Sequence, residues 1–379
     1  MPRILVIRFR RVGDAVLTTS ICSTLKKSIP NAEVHYVLNE NIAPLFEHHP
    51  DIDKVIPFSD KELRSIFRYL KKIRKVMKEG KYDIIIDARS TINTMLFPLM
   101  SLRSKYRIGL KKSYTHLIYN HRVNNQNDPN KSSVVQQLLM LANPLSSEFN
   151  INEKPIFSLH CTQEEIDKYK SYMISMGIDV TKPVVMCAVA TRLEHKMWPL
   201  EHMREVIQRI LDKYKDAQLI FNYAGDREKA LAYELYDMLG HDPRIFINLE
   251  AKNIRELAAV LANSNFFFGN EGGPRHISQA FEIPSYAIFP PGINMNKWLP
   301  NQADNYQGID PLGIDPDLTI DENASYEEKF RLITPNRVWE VLDAMLDKYL
   351  PKSEDTEEKS VEETKAKEKE LIRYIHDFS

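Results

Sequence analysis

The sequence predicts an α/β protein with two doubly wound domains that face each other across a cleft, and three observations support this fold class. Short apolar runs alternate with amphipathic stretches in strand–helix order over the first 110 residues. The same alternation restarts near residue 184, after a polar and less regular middle at 124–179. The chain's 379 residues are also enough for two domains of roughly 100–200 residues each. Alternating strands and helices imply parallel sheets that helices cover on both faces.

The two alternating regions set the expected domain boundaries. We expect a first domain at 1–175 and a second at 176–334. A helix at Pro335–Leu350 carries apolar residues along one face and is expected to cross back onto the first domain. The remaining residues, 351–379, form a charged tail that is expected to be solvated or to form a lone helix.

The first domain begins with Ile4–Phe9, a short apolar run of the kind that forms a buried strand. The next element is a helix from Asp14 to Ser28, because apolar residues recur there at helical spacing and Pro30 ends the pattern. The other predicted elements are strands at Glu33–Leu38 and Tyr82–Asp87, a helical stripe from Leu63 to Met77 and a helix at Thr91–Leu102.

The second domain repeats the alternation of strands and helices. Its predicted strands are Val184–Val189, Gln218–Tyr223, Phe266–Phe268 and Ser285–Phe289. Its predicted helices are Leu200–Tyr214, Asp226–Leu239, Ile254–Ala262 and Pro274–Phe281. The segment at 294–331 is rich in Asn, Asp, Gly and Pro and predicts a long loop.

The composition is that of a soluble globular protein, with 43% hydrophobic and 27% charged residues. The 51 Lys and Arg residues nearly balance the 52 Asp and Glu residues, which excludes a whole-molecule basic field for nucleic acid. Cys22, Cys161 and Cys187 lie far apart and have neither zinc-site nor disulfide-framework spacing. No apolar run approaches the roughly 20 residues of a membrane-spanning helix, and no signal peptide precedes the first strand. We therefore expect a cytoplasmic protein.

The segment Arg10–Asp14 joins the first strand to the first helix, at the carboxyl end of the strand. Asp14 has two interpretations. It is either the helix N-cap, which its spacing alone favours, or a general base in the cleft, with Gly13 letting a substrate approach the backbone. The segment does not match GxGxxG, so a dinucleotide-binding fingerprint is not supported.

The segment Gly269–His276 follows another predicted strand and opens a helix with a proline in its first turn. Gly272 and Gly273 allow unusual backbone dihedrals. Unpaired N–H groups and the helix dipole make such a helix start an anion site. A structural tight turn is the alternative, but Glu271 and His276 beside two glycines at one strand end favour a binding site.

Two further polar segments follow strands of the second domain. Thr191–Pro199 contains Arg192 and Lys196, which can both reach a phosphate. The alternative is a solvated charged loop over Trp198, and the sequence favours neither. Ala224–Glu228 is acidic at a helix start, which suits either ribose hydroxyls or the helix dipole.

All four polar segments follow strands, and the carboxyl ends of parallel strands meet at one edge of a sheet. We therefore expect them to line one cleft between the domains. The sequence has no HExxH, CxxC, P-loop or GxSxG motif. The pairs Asp51/Asp53 and Asp315/Asp317 are interpreted as turns, so we expect neither a metal nor a cofactor.

Five segments carry a resemblance to a known family, and they follow its order from Met1 to about Pro300. They are Arg3–Leu17, Tyr82–Ser90, Tyr106–Gly109, Lys196–Pro199 and Gly269–His276. Together they resemble the ADP-heptose:lipopolysaccharide heptosyltransferases, glycosyltransferase family 9. The resemblance implies a GT-B fold, in which two Rossmann-like domains face each other. It also implies an inverting, metal-independent sugar transfer from a nucleotide-diphospho-sugar.

Residue roles follow from the resemblance by position. Asp14 would be the base that takes the proton from the acceptor hydroxyl, and Arg10, Arg11 and Gly13 would lie on the acceptor side. Lys196 would bind the donor diphosphate. The implied donor-binding set is Arg192, Lys196, Glu228, Glu271, Gly272, Gly273 and His276, in which the two glycines present N–H groups to the diphosphate and Glu228 binds the ribose.

The chain departs from the family where Asp-Thr-Gly is expected and Glu271-Gly272-Gly273 stands instead. Glutamate is one methylene longer than aspartate and the threonine hydroxyl is missing, so the transferred sugar is heptose or a related sugar. Two other functions stay open: a GT-B-like nucleotide-sugar epimerase, and a non-catalytic nucleotide-sugar-binding protein of envelope assembly.

The resemblance implies an ADP-heptose-like donor and a glycolipid acceptor at the inner face of the cytoplasmic membrane. The segment Lys61–Lys81 carries nine Lys or Arg residues against two Glu, and 103–112 adds a second basic cluster. A basic amphipathic helix can rest on anionic lipid, or it can be solvated with its apolar stripe packed on the sheet. We expect transient peripheral contact with the membrane surface.

Overall fold

A computed structural model describes residues 1–125, 133–153, 155–299 and 304–351. These residues form two lobes, each built around a six-stranded sheet whose neighbouring strands are all parallel. The predicted α/β fold class is therefore confirmed. The predicted tail beyond Pro351 lies outside the described residues.

The strands of the first sheet are β1 (Arg3–Ile7), β2 (Glu33–Asn39), β3 (Lys54–Phe58), β4 (Ile84–Asp87), β5 (Tyr106–Leu110) and β6 (His121–Val123). Those of the second sheet are β7 (Val184–Ala188), β8 (Gln218–Phe221), β9 (Ile245–Phe246), β10 (Phe266–Asn270), β11 (Ser285–Ile288) and β12 (Tyr306–Ile309). The helices up to residue 175 are α1 (Val12–Ser28), α2 (Asp60–Leu63), α3 (Ile66–Gly80), α4 (Leu96–Leu99), α5 (Val134–Leu139) and α6 (Gln163–Ser175). The later helices are α7 (Leu200–Lys213), α8 (Gly225–Met238), α9 (Ile254–Ala262), α10 (Gly273–Ala280), α11 (Met295–Trp298), α12 (Pro311–Ile314), α13 (Pro316–Ile320), α14 (Tyr326–Arg331) and α15 (Pro335–Tyr349).

Both sheets have the same topology when their strands are counted within each lobe. The first sheet runs β3-β2-β1-β4-β5-β6, and the second runs β12-β11-β10-β7-β8-β9. In each lobe the direction of winding reverses between the first and the fourth strand. That reversal opens a crevice at the carboxyl ends of these strands, which is where ligands bind in open α/β sheets.

The packing of α1 explains its unusual burial pattern. Almost every residue from Gly13 to Leu25 is buried, although the helix has no single apolar face. The reason is that α1 lies between the first sheet and the second lobe, where it packs on α10. One apolar core contains residues of both, including Val16 of α1 and Ile277 of α10. The two lobes are thus held together at the carboxyl edges of their sheets.

Helix α3 shows the opposite pattern, which is typical of a surface helix. Ile73 and Met77 of the predicted stripe are buried with Tyr69 against the first sheet, but Ile66 and Phe67, which the stripe also contained, are exposed. Most of the basic residues of the helix are exposed.

The predicted packing of the C-terminal helix on the first lobe is wrong, and a second helix crosses the expected domain boundary. Helix α15 does not return to the first lobe: it packs on α7, where Lys213 pairs with Asp343 at 2.6 Å, and Leu342 and Leu346 join the core of the second sheet. Helix α6 lies before the predicted boundary at residue 175 but packs on α9 of the second lobe. Periodicity identified α15 but could not identify the surface that it covers, and it did not identify α6.

Several other elements also differ from prediction. The helix expected at Thr91–Leu102 is a single turn, α4. The segments predicted to be irregular hold α5 and α6 in the middle of the chain, and β12 with short helices at 294–331. The edge strands β3, β6, β9 and β12 were not predicted, because they are short and lack a fully apolar run. In the described part of the chain, no helix has the length and apolar character needed to span a bilayer.

Candidate active site

The polar segments identified in the sequence meet where the two lobes touch. Asp14 follows β1, the loop of Lys196 follows β7, and the turn at Gly272 follows β10. These three strands border the points at which the sheets reverse direction. The residues that the strand-end argument assigned to one cleft thus follow the central strands of the two sheets.

Asp14 is held by an arginine of its own lobe. Arg11 occupies the N-cap position of α1 without a side-chain cap, so the N-cap interpretation of Asp14 is wrong. Arg8 Nη2 lies 2.8 Å from Asp14 Oδ1, with 14% and 16% of the two side chains exposed. This contact is an ion pair without the geometry of a hydrogen bond, and Asp14 Oδ1 accepts no hydrogen bond within the described residues. The guanidinium of Arg8 is fixed by donating to the Ala88 carbonyl at 2.9 Å.

The start of α1 touches the start of α10. A Cβ atom at Gly13 would overlap the imidazole of His276, and one at Gly273 would lie 3.3 Å from Cβ of Val12. Glycine at position 13 is therefore required by the contact between the lobes. The same contact places Asp14 close enough for its charge to act on the pKa of His276.

Glu271, Arg275 and His276 form a buried charged cluster behind this contact. His276 Nε2 lies 3.4 Å from Glu271 Oε1, and Arg275 Nη2 lies 4.0 Å from the same oxygen. Burial opposes the charge on Glu271, but its hydrogen bond to His276 and the charges of Arg275 and Lys196 outweigh burial and lower its pKa. Burial, followed by the charge of Arg275, lowers the pKa of His276 to about 4. At neutral pH the cluster thus holds a carboxylate, a guanidinium and a neutral imidazole.

Arg275 has no exposed surface, which is unusual for an arginine. Burial lowers its pKa to about 10, so it keeps its charge at neutral pH. The guanidinium donates to Gln279 Oε1 at 2.9 Å and to the Trp298 carbonyl at 2.8 Å. It therefore links α10 to the segment that follows β11.

The turn before α10 has backbone donors without a hydrogen-bond partner among the residues that the structure describes. Gly272 is the N-cap and provides no side-chain cap, and Pro274 occupies the first turn. The first N–H groups of a helix have no partner inside the helix, and the helix dipole adds positive potential there. Gly269 has φ 134°, and a Cβ atom there would overlap the Ala188 carbonyl. This end of the second sheet therefore fits an anion such as a diphosphate.

The loop that carries Lys196 is held in place by hydrogen bonds of the residues that follow it. Trp198 is fully buried; its backbone N–H donates to Asn270 Oδ1 at 2.8 Å and its indole N–H donates to the Ile333 carbonyl at 2.9 Å. Asn270 in turn donates to the carbonyls of Ala188 and Val189. These bonds position half-buried Lys196, whose charge acts on Glu271 across the turn.

Glu228 and Arg192 lie together at the neighbouring strand end. Glu228 Oε2 accepts a hydrogen bond from the Ala224 N–H at 2.9 Å. Burial raises the pKa of Glu228, and the charges of Arg192 and Arg227 act in the opposite direction. The free carboxylate oxygen is available to accept a hydrogen bond from a hydroxyl group.

Arg10 and Arg11 lie at the exposed rim of the first lobe, where both have positive φ values of 71° and 24°. The Arg10 N–H donates to Asn39 Oδ1 at 2.6 Å. Burial lowers the pKa of Arg89, as do the charges of Arg10 and Arg8, while the charge of Asp14 acts in the opposite direction. This side of the cleft therefore suits an anionic or phosphorylated molecule.

Sequence reasoning missed four residues that shape the site: Arg8, Arg89, Asn270 and Arg275. Arg8 had a detectable signal, because it is the one charged residue within the predicted strand Ile4–Phe9. Asp51 and Asp53 lie in the predicted turn, whereas Asp315 caps α13 and Asp317 lies within that helix. Among the described residues, no three His, Cys, Asp or Glu side chains are grouped to hold a metal ion.

Comparison with known proteins gives a consistent result. Residues 70–306 match the family model for glycosyltransferase family 9 (heptosyltransferase). Lipopolysaccharide heptosyltransferase 1 of Campylobacter coli is 23% identical over 299 residues, which are 76% of this chain and 83% of the relative. Lipooligosaccharide heptosyltransferase 2 of Haemophilus ducreyi is 23% identical over 355 residues, 91% and 99% of the two chains.

Solved structures agree on the fold. A glycosyltransferase family 9 protein of Veillonella parvula superposes with a TM-score of 0.77 at 18% identity, over 92% of this chain and 98% of the other. ADP-heptose lipopolysaccharide heptosyltransferase II of E. coli gives 0.70 at 18% identity, over 91% and 99%. E. coli heptosyltransferase WaaC with ADP-2-deoxy-2-fluoro heptose gives 0.64 at 18% identity, over 90% and 99%. These similarities confirm the predicted GT-B architecture.

Proposed function

The chain belongs to glycosyltransferase family 9 and is a glycosyltransferase, and on that premise we propose that it transfers a heptose or a related sugar from a nucleotide-diphospho-sugar to a lipopolysaccharide core or a similar glycolipid. The transfer inverts the anomeric centre and needs no metal. The observation that carries this proposal is the contact between the start of α1, with Asp14, and the start of α10, with its unpaired N–H groups.

Inversion requires the attacking oxygen and the departing diphosphate to lie on opposite faces of the anomeric carbon. A carboxylate from the first lobe and an anion site from the second lobe supply groups for the two faces. Asp14 accepts the proton of the acceptor hydroxyl, since Oδ1 is buried against Arg8 and the exposed 16% of the side chain leaves the other carboxylate oxygen for the substrate. The ion pair with Arg8 keeps the carboxylate in place.

Negative charge grows on the diphosphate as the bond to the sugar breaks. Lys196 and the N–H groups at Gly272 and Gly273 are fixed before the reaction, so they stabilise this charge without having to reorganise. Neutralisation of the leaving group by protein cations and a helix start takes the place of a metal ion in this scheme.

The donor we propose is ADP-heptose or a close relative. Two relatives of solved structure are described as ADP-heptose lipopolysaccharide heptosyltransferase II and as WaaC bound to an ADP-heptose analogue. Glu228 binds the ribose hydroxyls, and Glu271 with His276 faces the sugar. Glu271 replaces the family's aspartate, so the exact sugar depends on this residue.

The acceptor side of the cleft is cationic because of Arg8, Arg10 and Arg89. We propose that it receives a glycolipid with anionic groups and that the protein contacts the inner surface of the cytoplasmic membrane transiently. Enclosing the acceptor between the two lobes excludes water, which would otherwise compete with it as the acceptor of the sugar.

The test is incubation of the purified chain with radiolabelled ADP-heptose and related nucleotide-sugars, with and without a lipid A-core acceptor. We expect label in the lipid fraction only when acceptor is present, inverted anomeric configuration by NMR, and full activity in EDTA. Release of nucleotide without acceptor would favour an epimerase. Donor binding with neither reaction would favour a non-catalytic binding protein.

A further inference from the structure

The outer surface of the first lobe exposes large apolar side chains that the fold does not use. Phe67 of α3 is 83% exposed, Ile92 after β4 is 75% exposed and Leu117 after β5 is 80% exposed. Ile66 and Leu102 are also more than half exposed. Clustered exposure of this size marks an interaction surface more often than an accident of the fold.

The segments that carry these side chains are neighbours in the fold, because hydrogen bonds join them. Tyr69 of α3 donates to the Asn93 carbonyl at 3.0 Å, next to Ile92. Lys112 donates to the Ser90 carbonyl at 2.9 Å, which joins the segments that follow β4 and β5. The Arg107 guanidinium bridges the carbonyls of Leu102 and Ile118. We call the surface of 64–68, 91–102 and 111–118 the outer face.

The outer face is basic as well as apolar. Arg64, Arg68 and Lys71 are exposed around Phe67 on the first turns of α3. The longer stretch from 88 to 127, of which 91–102 and 111–118 belong to the outer face, contains seven Lys or Arg residues and no Asp or Glu. The whole chain has a net charge of only −1, so this concentration of positive charge is local. Apolar side chains set among cations are complementary to a membrane with anionic headgroups.

The outer face also adjoins the acceptor side of the cleft. Ile92 is four residues from Ala88, whose carbonyl accepts the hydrogen bond from Arg8, the partner of Asp14. The loops after β1 and β4 are neighbours, since these strands pair in the middle of the sheet. A surface docked through Ile92 would thus lie next to the entrance to Asp14.

We propose that the outer face docks on an anionic phospholipid bilayer, with Phe67, Ile92 and Leu117 inserted among the headgroups. Docking in this orientation turns the Asp14 side of the cleft towards the membrane. The functional meaning of this orientation rests on the proposed glycolipid acceptor, whereas the docking itself does not.

The direct test is flotation of the full chain with vesicles of equal parts phosphatidylcholine and phosphatidylglycerol, compared with vesicles of phosphatidylcholine alone. We expect binding to the anionic vesicles that weakens as salt rises, and no binding to the neutral ones. Phe67→Ser with Ile92→Ser should weaken binding by about tenfold or more, because two apolar side chains lose their burial. Arg64→Gln with Lys71→Gln should weaken it by about fivefold per charge.

Matched controls come from the second lobe. Ile174→Ser with Ile320→Ser changes side chains that are 51% and 72% exposed, and Lys168→Gln with Lys170→Gln removes two exposed charges from α6. Both control pairs should bind like the unchanged chain. Equal losses in test and control pairs, or equal binding to neutral vesicles, would overturn the proposal.

Two further measurements separate docking on a bilayer from self-association and from sugar transfer. A concentration-dependent dimer that Phe67→Ser with Ile92→Ser abolishes, without vesicle binding, would assign the outer face to a second copy of the chain and reject the bilayer. Turnover on a lipid-free soluble acceptor should be the same in the docking variants and the unchanged chain. Vesicle binding without any sugar transfer would reject the proposed function and leave the docking face standing.

Discussion

The two halves of the cleft use charged residues in different ways. In the first lobe, Asp14 and Arg8 keep 16% and 14% of their side chains exposed, and they pair at the first turn of α1. In the second lobe, Arg275 and His276 are almost completely buried and share contacts with Glu271. Removing a charged side chain from the first half should therefore change the free energy of unfolding little. In the second half, the same kind of change should lower both the activity and the free energy of unfolding. Substitutions in the two halves should separate these effects.

The largest effect should come from Asp14→Asn. It removes the proposed base but keeps the shape of the side chain, so kcat should fall by about 10²–10⁴-fold with an unchanged thermal midpoint. The measurement is initial-rate kinetics of sugar transfer beside thermal unfolding.

The matched control for this prediction is Asp60→Asn, which alters an exposed aspartate in the first turn of α2. It should leave kcat unchanged. Transfer by Asp14→Asn at the unchanged chain's rate would remove the base assignment and with it the functional contrast between the lobes.

The second prediction concerns stability. Arg275→Met leaves the Glu271 carboxylate buried without its guanidinium partner, and breaking a buried pair in this way costs about 3–5 kcal/mol of unfolding free energy. Urea unfolding measures the loss. Arg8→Met is the first-lobe counterpart, and it should cost less because the side chains of Arg8 and Asp14 keep 14% and 16% of their surface exposed, whereas Arg275 has none. Equal losses in the two variants would contradict the proposed difference between the lobes.

The third prediction returns to chemistry in the second lobe. Lys196→Met removes one fixed cation from the diphosphate site, which should raise the barrier by about 2.7–4 kcal/mol, measured as a fall in kcat. Lys196 is half-buried and its loop is held by Trp198 and Asn270, so the fold should remain. Lys215→Met, at an exposed lysine of the same lobe, should have normal kinetics. A rise in KM alone would mean that Lys196 binds the ground state and not the transition state.

The same contrast explains what the sequence could predict. Strand ends and helix starts depend on local pattern, so Asp14, Lys196 and the Gly272–Gly273 turn could be assigned to one edge before the structure was known. The N-cap interpretation of Asp14 failed because the helix starts two residues earlier than predicted, at Val12. A shift of that size lies within the ordinary uncertainty of helix boundaries.

Long-range packing was beyond the sequence for a physical reason. An arginine in a helix is normally exposed, and nothing in its neighbours indicates that α10 lies between two lobes and buries Arg275. The amphipathic pattern of α15 likewise defines an apolar face but not its partner, so α7 and the first lobe were equally compatible with it. The amphipathic pattern of a helix identifies the side that is buried, whereas the element against which that side packs depends on the whole chain.

The smallest effect should be the dependence of stability on pH. Burial lowers the pKa of His276 to about 4 in the folded chain, while an exposed histidine titrates near 6.5. The unfolded chain therefore binds more protons between these two pH values, and the free energy of unfolding should fall as pH decreases from about 6.5 to about 4. Glu271 acts in the same direction at lower pH, because its folded pKa lies below its ordinary value.

His35, His49 and His202 have lowered pKa values as well, mainly through burial, so the informative quantity is a difference between variants. In His276→Gln, unfolding free energy measured in urea across this pH range should fall less steeply than in the unchanged chain. His241→Gln, at an exposed histidine, should reproduce the unchanged slope. If His276→Gln keeps the full slope, the pH sensitivity belongs to the other buried histidines, and the second half of the cleft is no more pH-sensitive than the first.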